Sequence, residues 1–283
     1  MILFVSDGRL GNQLFQYAFL KSIAKPKERV VGFRLASINT IFEIEAAHFS
    51  MPPLSDRGFR LFQRYLSPAL AFASRLKLIG LIEEEKQDGR PNGAIRFRRG
   101  LLPFNFVKTA FFQSEALFDH RQVKLEFKQE IKNKAEAQLD KIPEDFEKVF
   151  VHVRRGDYLT ETYGGKVGID LPQSYYEKAI QKITAQVAKP FFIFLSDEPD
   201  FCSREFSNLE HKIISRNGVG EDLATMSQCA HGIMANSSFS WWGAYLMNHK
   251  KNVYYPNYWY GWKLKTHSHP AIYPSFGALI EPE

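Results

Sequence analysis

Strands and helices alternate through the second half of this chain of 283 residues, and that alternation constrains the fold more than any other feature. The predicted strands are short and rich in Val, Ile, Phe and Tyr, and they occupy residues 148–153, 191–195, 212–214, 232–235 and 252–255. Helical spacing is found at residues 172–187, 221–229 and 239–248. Strands that alternate with helices pair in parallel, and a parallel sheet is covered by helices on both faces. The second half is therefore predicted to be an α/β domain.

The first half begins in the same way but becomes less regular. Residues 1–6 resemble a strand, residues 7–11 a glycine loop and residues 12–24 a helix with one apolar face. The remaining segments are predicted as a strand at 29–33, weak helix from 37 to 82, a polar exposed loop at 87–100, strand-like stretches within 101–112 and a charged helix at 124–140. Pro143 then marks a connection, so the sequence predicts two domains, at residues 1–143 and 144–283.

The composition is typical of a globular protein with anionic partners. Hydrophobic residues make up 45% of the chain and charged residues 24%, which excludes a disordered protein. The net charge of +6 suits nucleotides, nucleic acid or an anionic membrane surface without choosing among them. The two cysteines, Cys202 and Cys229, do not suggest a secreted disulfide framework, and we expect neither a signal peptide nor a membrane-spanning segment. We therefore expect a cytoplasmic protein, soluble or peripheral at the membrane.

A dense cluster of charged side chains follows the predicted strand 148–153. His152, Arg154, Arg155 and Asp157 lie within six positions. Because side chains alternate along a strand, His152 and Arg154 are predicted to share one face and Arg155 to point to the other. Guanidinium groups beside a packed core need carboxylate partners or a bound anion. The segment is therefore predicted either to clamp a phosphate-like anion or to contain a structural Arg–Asp pair.

Two further polar clusters follow predicted strands, at residues 196–198 and 236–240. In open parallel sheets, ligands bind outside the carboxyl ends of the strands, so we expect these clusters to meet the 152–158 cluster at one edge. Asp197 and Glu198 are predicted either to cap a helical turn or to accept hydrogen bonds from a nucleotide base. They are adjacent and lack a third ligand nearby, so no metal site is expected.

The cluster at 236–240 opens a predicted helix. Ser and Asn are ordinary N-caps, but four small polar residues exceed what a cap needs. Helix N-terminal amides together with hydroxyl groups form a phosphate seat, and we favour that function. Trp241 and Trp242 follow and are predicted to belong to the core.

The glycine loop near the N-terminus carries a weaker signal. It lacks both the order of a dinucleotide-binding fingerprint and the lysine of a P-loop. It either delivers Arg9 or Asn12 to a cleft or forms a tight turn with Asn12 as the N-cap of the helix.

Three blocks together resemble the signature motifs of the α-1,2-fucosyltransferase family, glycosyltransferase family 11. They are residues 8–18 (GRLGNQLFQYA), 152–158 (HVRRGDY) and 235–244 (ANSSFSWWGA), and they span nearly the whole chain. The resemblance implies an α/β, GT-B-like fold of two Rossmann-like domains facing each other across a cleft. It also implies GDP-fucose as donor substrate, inversion at the anomeric carbon, and neither a metal nor another cofactor.

The resemblance also implies functions for individual residues. It assigns Arg154 to the donor diphosphate and Asn12 to the same group from the N-terminal domain, with Arg9 and Gly11 in the donor-binding loop. His152 and Asp197 are expected on the guanine side. The phosphate region is expected to be lined by Ser237, Ser238 and Phe239. Residues 50–99 match no pattern of the family and are expected to belong to the acceptor side.

Fucose transfer needs a group that accepts the proton of the attacking hydroxyl. Asp157 is the first candidate for this catalytic base, followed by Glu161 and Asp170. Asp157 could instead only pair with Arg154 or Arg155, and the sequence leaves both functions open.

The expected acceptor is an oligosaccharide or a lipid-linked glycan of a carbohydrate pathway such as O-antigen or lipopolysaccharide synthesis. Two interpretations of the arginine cluster within 90–99 remain open. It contacts an anionic partner, which is the inner membrane face or a phosphate-bearing acceptor, or it is an ordinary solvated cluster. Three alternatives compete with fucose transfer: a transferase for another nucleotide sugar, a nucleic-acid-binding module and a non-catalytic protein that binds GDP-sugars. We expect no nucleic-acid partner.

Overall fold

The computed structural model describes residues 1–44 and 47–283, which form two compact units. The first unit contains residues 1–128 and 270–273, and the second contains residues 129–269 and 274–283. The sequence placed the boundary at residue 143, fifteen residues later. The difference arises because the helix at Gln129–Leu139 packs on the helix at Val219–Ser227, where Lys134 pairs with Glu221 at 3.0 Å.

The first unit is built on a mixed sheet. The strands of this unit are β1 (Ile2–Val5), β2 (Val30–Phe33), β3 (Phe42–Glu43), β4 (Phe49–Ser50), β5 (Gly80–Gln87), β6 (Arg90–Arg98), β7 (Asn105–Val107) and β8 (Glu126–Phe127). Its α-helices are α1 (Leu10–Ile23), α2 (Ala36–Ile41), α3 (Asp56–Leu61) and α4 (Ser67–Arg75). A π-helical turn, Phe62–Leu66, joins α3 to α4, and a 3-10 turn lies at Glu115–Leu117.

Five strands of this sheet are parallel, and the sixth forms a hairpin at its edge. The strand order is β4-β2-β1-β7-β5-β6, and only β5 and β6 pair antiparallel. The polar loop predicted at residues 87–100 is therefore wrong. Glycine and charged residues there resembled a loop, but Gly89 at φ +77° forms a tight turn, and the flanking residues pair with each other.

The second unit is built on a fully parallel sheet. The strands of this unit are β9 (Glu147–Val153), β10 (Thr162–Tyr163), β11 (Lys166–Val167), β12 (Pro190–Ser196), β13 (Lys212–Ile214), β14 (His231–Ile233), β15 (Val253–Pro256) and β16 (Ala278–Ile280). Of these, β10 and β11 lie outside the parallel sheet and form a separate antiparallel pair. The α-helices of this unit are α5 (Gln129–Leu139), α6 (Gln173–Gln186), α7 (Pro199–Glu205), α8 (Val219–Ser227) and α9 (Ser238–Tyr245). Two 3-10 turns lie at Gly156–Leu159 and Trp259–Leu264.

The order of the main sheet is β13-β12-β9-β14-β15-β16, so β9 lies near its centre. Residues Val149 to Val153 are buried without interruption, because helices cover both faces of the sheet. On one face, Val149, Val151 and Val153 pack in a cluster with Tyr175 and Tyr176 of α6. The predicted parallel α/β domain and the buried positions of Trp241 and Trp242 are both confirmed.

The two cysteines form no disulfide bond within the described residues. Cys202 and Cys229 are buried free thiols. Among the described residues, no helix is long and apolar enough to cross a membrane.

Candidate functional site

The three polar clusters that follow predicted strands meet at one edge of the second sheet. They follow β12, β9 and β14, which are neighbours in that sheet. The pairing register places Leu195 beside His152 and Val151 beside Ile233, so the carboxyl ends of the three strands are level. Because parallel strands end at the same edge, residues distant in sequence converge there.

Arg154 lies just beyond β9 and is held from three sides. One guanidinium nitrogen, Nη1, is 2.8 Å from Oδ2 of Asp197, and Nη2 pairs with Asp157. The guanidinium also lies over the Tyr158 ring, 5.2 Å from its centroid. Its side chain is 14% exposed. The fork is therefore fixed in position but still reachable by a ligand.

Arg155 turns to a different set of partners. Its Nε is 3.2 Å from Glu198, and its Nη1 is 3.5 Å from Asp170. Its guanidinium carbon stacks 3.7 Å from the centroid of Phe201. The two arginines thus diverge, as strand alternation predicted, and Arg155 ties the β9 end to α7 and to the loop before α6.

Asp197 links the two arginines. One carboxylate oxygen pairs with Arg154, and the other accepts a hydrogen bond of 3.0 Å from the backbone amide of Arg155. The predicted contact of Asp197 with guanine stays a prediction. The observed geometry makes this carboxylate a support for the arginine fork.

His152 is the last buried polar group of β9. It is 5% exposed, its Nδ1 has no hydrogen-bond partner among the described residues, and its ring lies 5.3 Å from that of Phe239. Burial, with a smaller effect of the Arg154 charge, lowers the pKa of His152 to about 3. The imidazole is therefore neutral at pH 7, and its free nitrogen can donate to or accept from a ligand.

Helix α9 begins directly at the site. Ser237 is its N-cap, and its hydroxyl accepts a hydrogen bond of 3.3 Å from the amide of Phe239. Ser237 therefore has the ordinary capping function that the sequence allowed. Ser238 and Phe239 form the first turn and are half-buried, which keeps them accessible beside His152.

A tyrosine pair connects these elements, and one of its members could not be recognised from the sequence. The Tyr158 hydroxyl lies 3.3 Å from both the Asn236 carbonyl and the Tyr260 hydroxyl. The Asn236 amide donates to the Ile169 carbonyl at 2.6 Å, while its Oδ1 is buried with no hydrogen-bond partner in the described part of the chain. Burial raises the pKa of Tyr260, so both phenols stay neutral. Only the fold brings Tyr260 to this edge.

The sequence analysis did not predict a second polar network at the same edge of the sheet. At the end of β13, the Ser215 hydroxyl donates to Asp222 at 2.5 Å, and Asn217 donates to Gln138. Burial raises the pKa of Asp222 to about 7. This half-buried carboxyl group accepts a hydrogen bond from one hydroxyl group. The acidic pair Glu221–Asp222 was visible in the sequence but resembled the first turn of a solvated helix.

In the first unit, the glycine loop is organised differently from the prediction. Helix α1 begins at Leu10 with Arg9 at the N-cap position, so Asn12 lies inside the first turn and is not the N-cap. Asn12 accepts a hydrogen bond of 2.8 Å from Gln113, whose Oε1 is buried without a partner among the described residues. Gly11 is buried and Arg9 is exposed. Whether Arg9, Gly11 and Asn12 reach a donor stays a prediction.

The three candidate bases occupy different environments. Asp157 is paired with Arg154, Asp170 lies near Arg155, and Glu161 is exposed. The pairing of Asp157 corresponds to the structural function that the sequence left open. The assignment of the base stays a prediction. Among the described residues, no group of three or more His, Cys, Asp or Glu side chains could hold a metal ion.

Comparison with known proteins connects this geometry to a family. The model of glycosyl transferase family 11 matches residues 94–269, more than half of the chain. An O-antigen biosynthesis glycosyltransferase, WbnK of Escherichia coli, is 28% identical over 90% of this chain and 93% of its own. An alpha-1,2-colitosyltransferase of Escherichia coli is 27% identical over 87% of each chain. Galactoside alpha-(1,2)-fucosyltransferase 2 of Mus musculus is 27% identical over 89% of this chain and 70% of its own.

Solved structures support the fold class. A glycosyl transferase of family 9 from Veillonella parvula covers 99% of this chain with a TM-score of 0.57, and 86% of that chain is covered. ADP-heptose lps heptosyltransferase II of Escherichia coli covers 99% with a TM-score of 0.53, and 90% of that chain is covered. Identities of 8% and 7% limit this likeness to the fold. The predicted GT-B-like α/β fold class is confirmed.

Proposed function

The chain belongs to glycosyl transferase family 11, and we propose that it transfers L-fucose from GDP-fucose to a hydroxyl group of a glycan acceptor. The proposed linkage is to O2 of a terminal galactose. The names of two relatives, a galactoside alpha-(1,2)-fucosyltransferase and an alpha-1,2-colitosyltransferase, support a 1,2-linkage. The O-antigen relative supports an oligosaccharide or lipid-linked glycan as acceptor.

The observation that carries the proposal is the Arg154 side chain, which is fixed by Asp157 and Asp197 and partly exposed at the sheet edge where α9 also begins. Charge accumulates on a diphosphate as it leaves, and donors fixed in advance stabilise that charge most effectively. Arg154 offers a planar fork suited to phosphate oxygens. The first amides of α9 and the Ser238 hydroxyl supply further donors at the same sheet edge.

The transfer is proposed to invert the configuration at the anomeric carbon. The acceptor oxygen forms a bond to this carbon while the bond to the diphosphate oxygen breaks, and GDP leaves with the electron pair. The proton of the acceptor hydroxyl passes to a base on the opposite face. Asp157 fits this step only if its pairing with Arg154 is released, whereas Asp170 and Glu161 remain as alternatives.

We further propose that the reaction needs no metal ion. The fixed positive charge of Arg154 takes the place that a divalent cation holds in other nucleotide-sugar enzymes. Turnover is therefore expected to be unchanged by EDTA. Loss of turnover in EDTA and its recovery with Mg²⁺ or Mn²⁺ would overturn this part of the proposal.

A second candidate function is transfer of colitose, which is fucose without the 3-hydroxyl group. The colitosyltransferase matches this chain at 27% identity, as the fucosyltransferase does. Donor preference must therefore be decided by experiment. A site that hydrogen-bonds the 3-hydroxyl would reject colitose, because its polar groups would be left unpaired.

The test is release of GDP and formation of a glycoside with three donors: GDP-fucose, GDP-colitose and GDP-mannose. Each donor is offered with galactose-, glucose- and GlcNAc-terminated acceptors. We expect turnover with GDP-fucose and a galactose-terminated acceptor. We also expect the β-linked fucose of the GDP donor to become α-linked in the product. Preference for GDP-colitose would establish the second candidate. GDP binding without product from any donor would indicate a non-catalytic protein.

A further inference from the structure

Helices α3 and α4 and the π-helical turn between them present an outward apolar stripe. Leu61, Tyr65, Phe72 and Leu76 recur at helical spacing, and Tyr65 and Phe72 are each 60% exposed. Leu66 lies beside the stripe and is also exposed. Single exposed apolar residues are common on proteins, but a continuous apolar stripe usually marks a contact surface.

The opposite face of the same helices is already packed against the first unit. Phe62 is buried in a cluster with Leu81 and Phe106 of the sheet, and Phe59 and Leu70 pack against that cluster. The inner face therefore accounts for the attachment of these helices to the fold. An apolar outer face is not needed for folding, and it leaves apolar surface in water.

Two leucines from another segment extend the stripe. Leu101 is 84% exposed, and its amide donates to the Lys77 carbonyl at 2.8 Å. The amide of Leu102, also exposed, donates to the Leu78 carbonyl at 3.0 Å. These hydrogen bonds place residues 101–102 directly beside the end of the helical segment. We call the combined surface of residues 57–78 and 101–102 the helical patch.

The helical patch is strongly basic. Its exposed cationic side chains are Arg57, Arg60, Arg64, Arg75 and Lys77. No acidic residue occurs between Asp56 and Glu83, and Asp56 itself pairs with Arg34 at 2.7 Å. Basic side chains thus flank an apolar stripe with no acidic neighbours on the same segment to neutralise them.

Two arginines of the β5–β6 hairpin have acidic partners instead. Arg96 pairs with Glu85 at 3.4 Å, and Arg98 pairs with Glu83 at 3.5 Å. Their charges are offset by the facing strand. The sequence left residues 90–99 open as either an anionic-surface contact or a solvated cluster, and the structure favours the helical patch as the anionic-surface contact.

We infer that the helical patch binds the surface of an anionic lipid bilayer. Its apolar side chains would enter the boundary between head groups and acyl chains, and its arginines would pair with lipid phosphates. The segment is arranged as an interfacial helix, apolar in the centre and basic at the flanks, and it would lie on the bilayer without spanning it. This inference goes beyond the proposed transfer reaction and does not depend on which sugar is transferred.

The test is sedimentation of the full chain with vesicles of phosphatidylcholine, with and without phosphatidylglycerol, at low and high salt. We expect binding to the phosphatidylglycerol vesicles that weakens as salt increases. Leu61→Ser/Tyr65→Ser/Phe72→Ser should lower the affinity on the order of 10–100-fold, and so should Arg57→Gln/Arg60→Gln/Arg64→Gln.

Matched controls come from the second unit. Val167→Ser/Val219→Ser removes exposed apolar side chains elsewhere, and Lys141→Gln/Lys182→Gln removes exposed charges elsewhere. Both control variants should bind vesicles like the wild type. All variants are first compared by thermal unfolding and by turnover of a soluble acceptor, which tests folding and the proposed reaction separately from membrane binding.

Three results would overturn the inference. The first is no binding of the wild type to phosphatidylglycerol vesicles. The second is equal binding by the wild type and by a folded helical-patch variant. The third is a wild-type dimer, measured by sedimentation velocity, that dissociates in the apolar variant while vesicle binding is absent, since the patch would then contact a second copy of the chain.

Discussion

A Cβ atom at Gly156 would lie 2.4 Å from Oδ2 of Asp197, the oxygen that pairs with Arg154. Gly156 also has φ of +20°, a conformation that other residues rarely adopt. The missing side chain therefore leaves room for the carboxylate that supports the arginine fork. The glycine of the HVRRGDY block therefore has a steric function at the start of the 3-10 turn Gly156–Leu159.

Gly156→Ala is expected to displace Asp197 and weaken GDP binding roughly 10–100-fold, because small displacements of a positioning group have large effects. Gly165→Ala is the matched control, since Gly165 has φ of +78° but no atom within 4 Å of its Cβ position. The control should lose about 1–3 kcal/mol of stability from backbone strain and keep its GDP affinity. Calorimetric GDP titration and thermal unfolding of both variants measure the difference. Equal GDP affinities would contradict the steric function.

The two arginines are expected to differ in what they support. Strand alternation predicted that Arg154 and Arg155 point to different faces, and in the structure both guanidiniums have carboxylate partners. Truncation of either would leave carboxylates unpaired, so lysine substitutions are the sharper test. Arg154→Lys should lower turnover roughly 10²-fold, because a lysine cannot reproduce the bidentate fork.

Arg155→Lys should instead keep most of the turnover and lower stability by about 1–3 kcal/mol, through loss of its stacking on Phe201 and of its paired geometry. Steady-state kinetics and urea unfolding of the two lysine variants make the comparison. Identical turnover losses in both would mean that Arg155 also contacts the donor.

Asp157→Asn separates the two functions left open for this carboxylate. Because Asp157 pairs with Arg154, we expect GDP affinity and turnover to fall together. If Asp157 were instead the catalytic base and did not support the Arg154 guanidinium, Asp157→Asn would lower turnover by about 10²–10⁴-fold and leave the GDP affinity unchanged. Calorimetric titration and kinetics are measured beside Asp170→Asn and Glu161→Gln. Normal turnover in Asp157→Asn would exclude both functions and leave the other two acids as candidate bases.

The regular part of the fold and the convergence of the polar clusters at the candidate site could be predicted from the sequence. Apolar runs such as residues 149–153 define buried strands, and parallel topology then places the residues that follow them at one edge. His152, Arg154, Asp197 and Ser237 converge there for that reason. These conclusions depend on local patterns and on one general rule of sheet topology.

Features that depend on partners distant in sequence could not be predicted. The β5–β6 hairpin has polar strands because its charged residues pair across it, as Arg96 does with Glu85. Tyr260 reaches Tyr158 only through a turn about 100 residues later.

The start of α1 was predicted two residues too late for a local reason. The residue at the N-cap position, Arg9, makes no capping hydrogen bond with its side chain, whereas Asn12 is of a residue type that commonly caps helices.

His152 is expected to make folding stability depend on pH. Its pKa is lowered to about 3 in the folded chain, mainly by burial, whereas an unfolded histidine titrates near 6.5. The contribution of the neutral His152 to the free energy of unfolding is therefore fully present above pH 6.5. It is lost as the pH falls toward 3, because between these two values only the unfolded chain binds the proton. The slope is at most about 1.4 kcal/mol per pH unit.

His152→Asn should remove this contribution and flatten the dependence of unfolding free energy on pH between 6.5 and 4. His120→Asn, at an exposed position, should leave the slope of the wild type unchanged. Urea unfolding at a series of pH values provides the comparison, and the difference between each variant and the wild type cancels the titration of the carboxyl groups. Parallel curves for His152→Asn and the wild type would mean that the pKa of His152 is the same in the folded and the unfolded chain, which would contradict the lowered pKa of the buried imidazole.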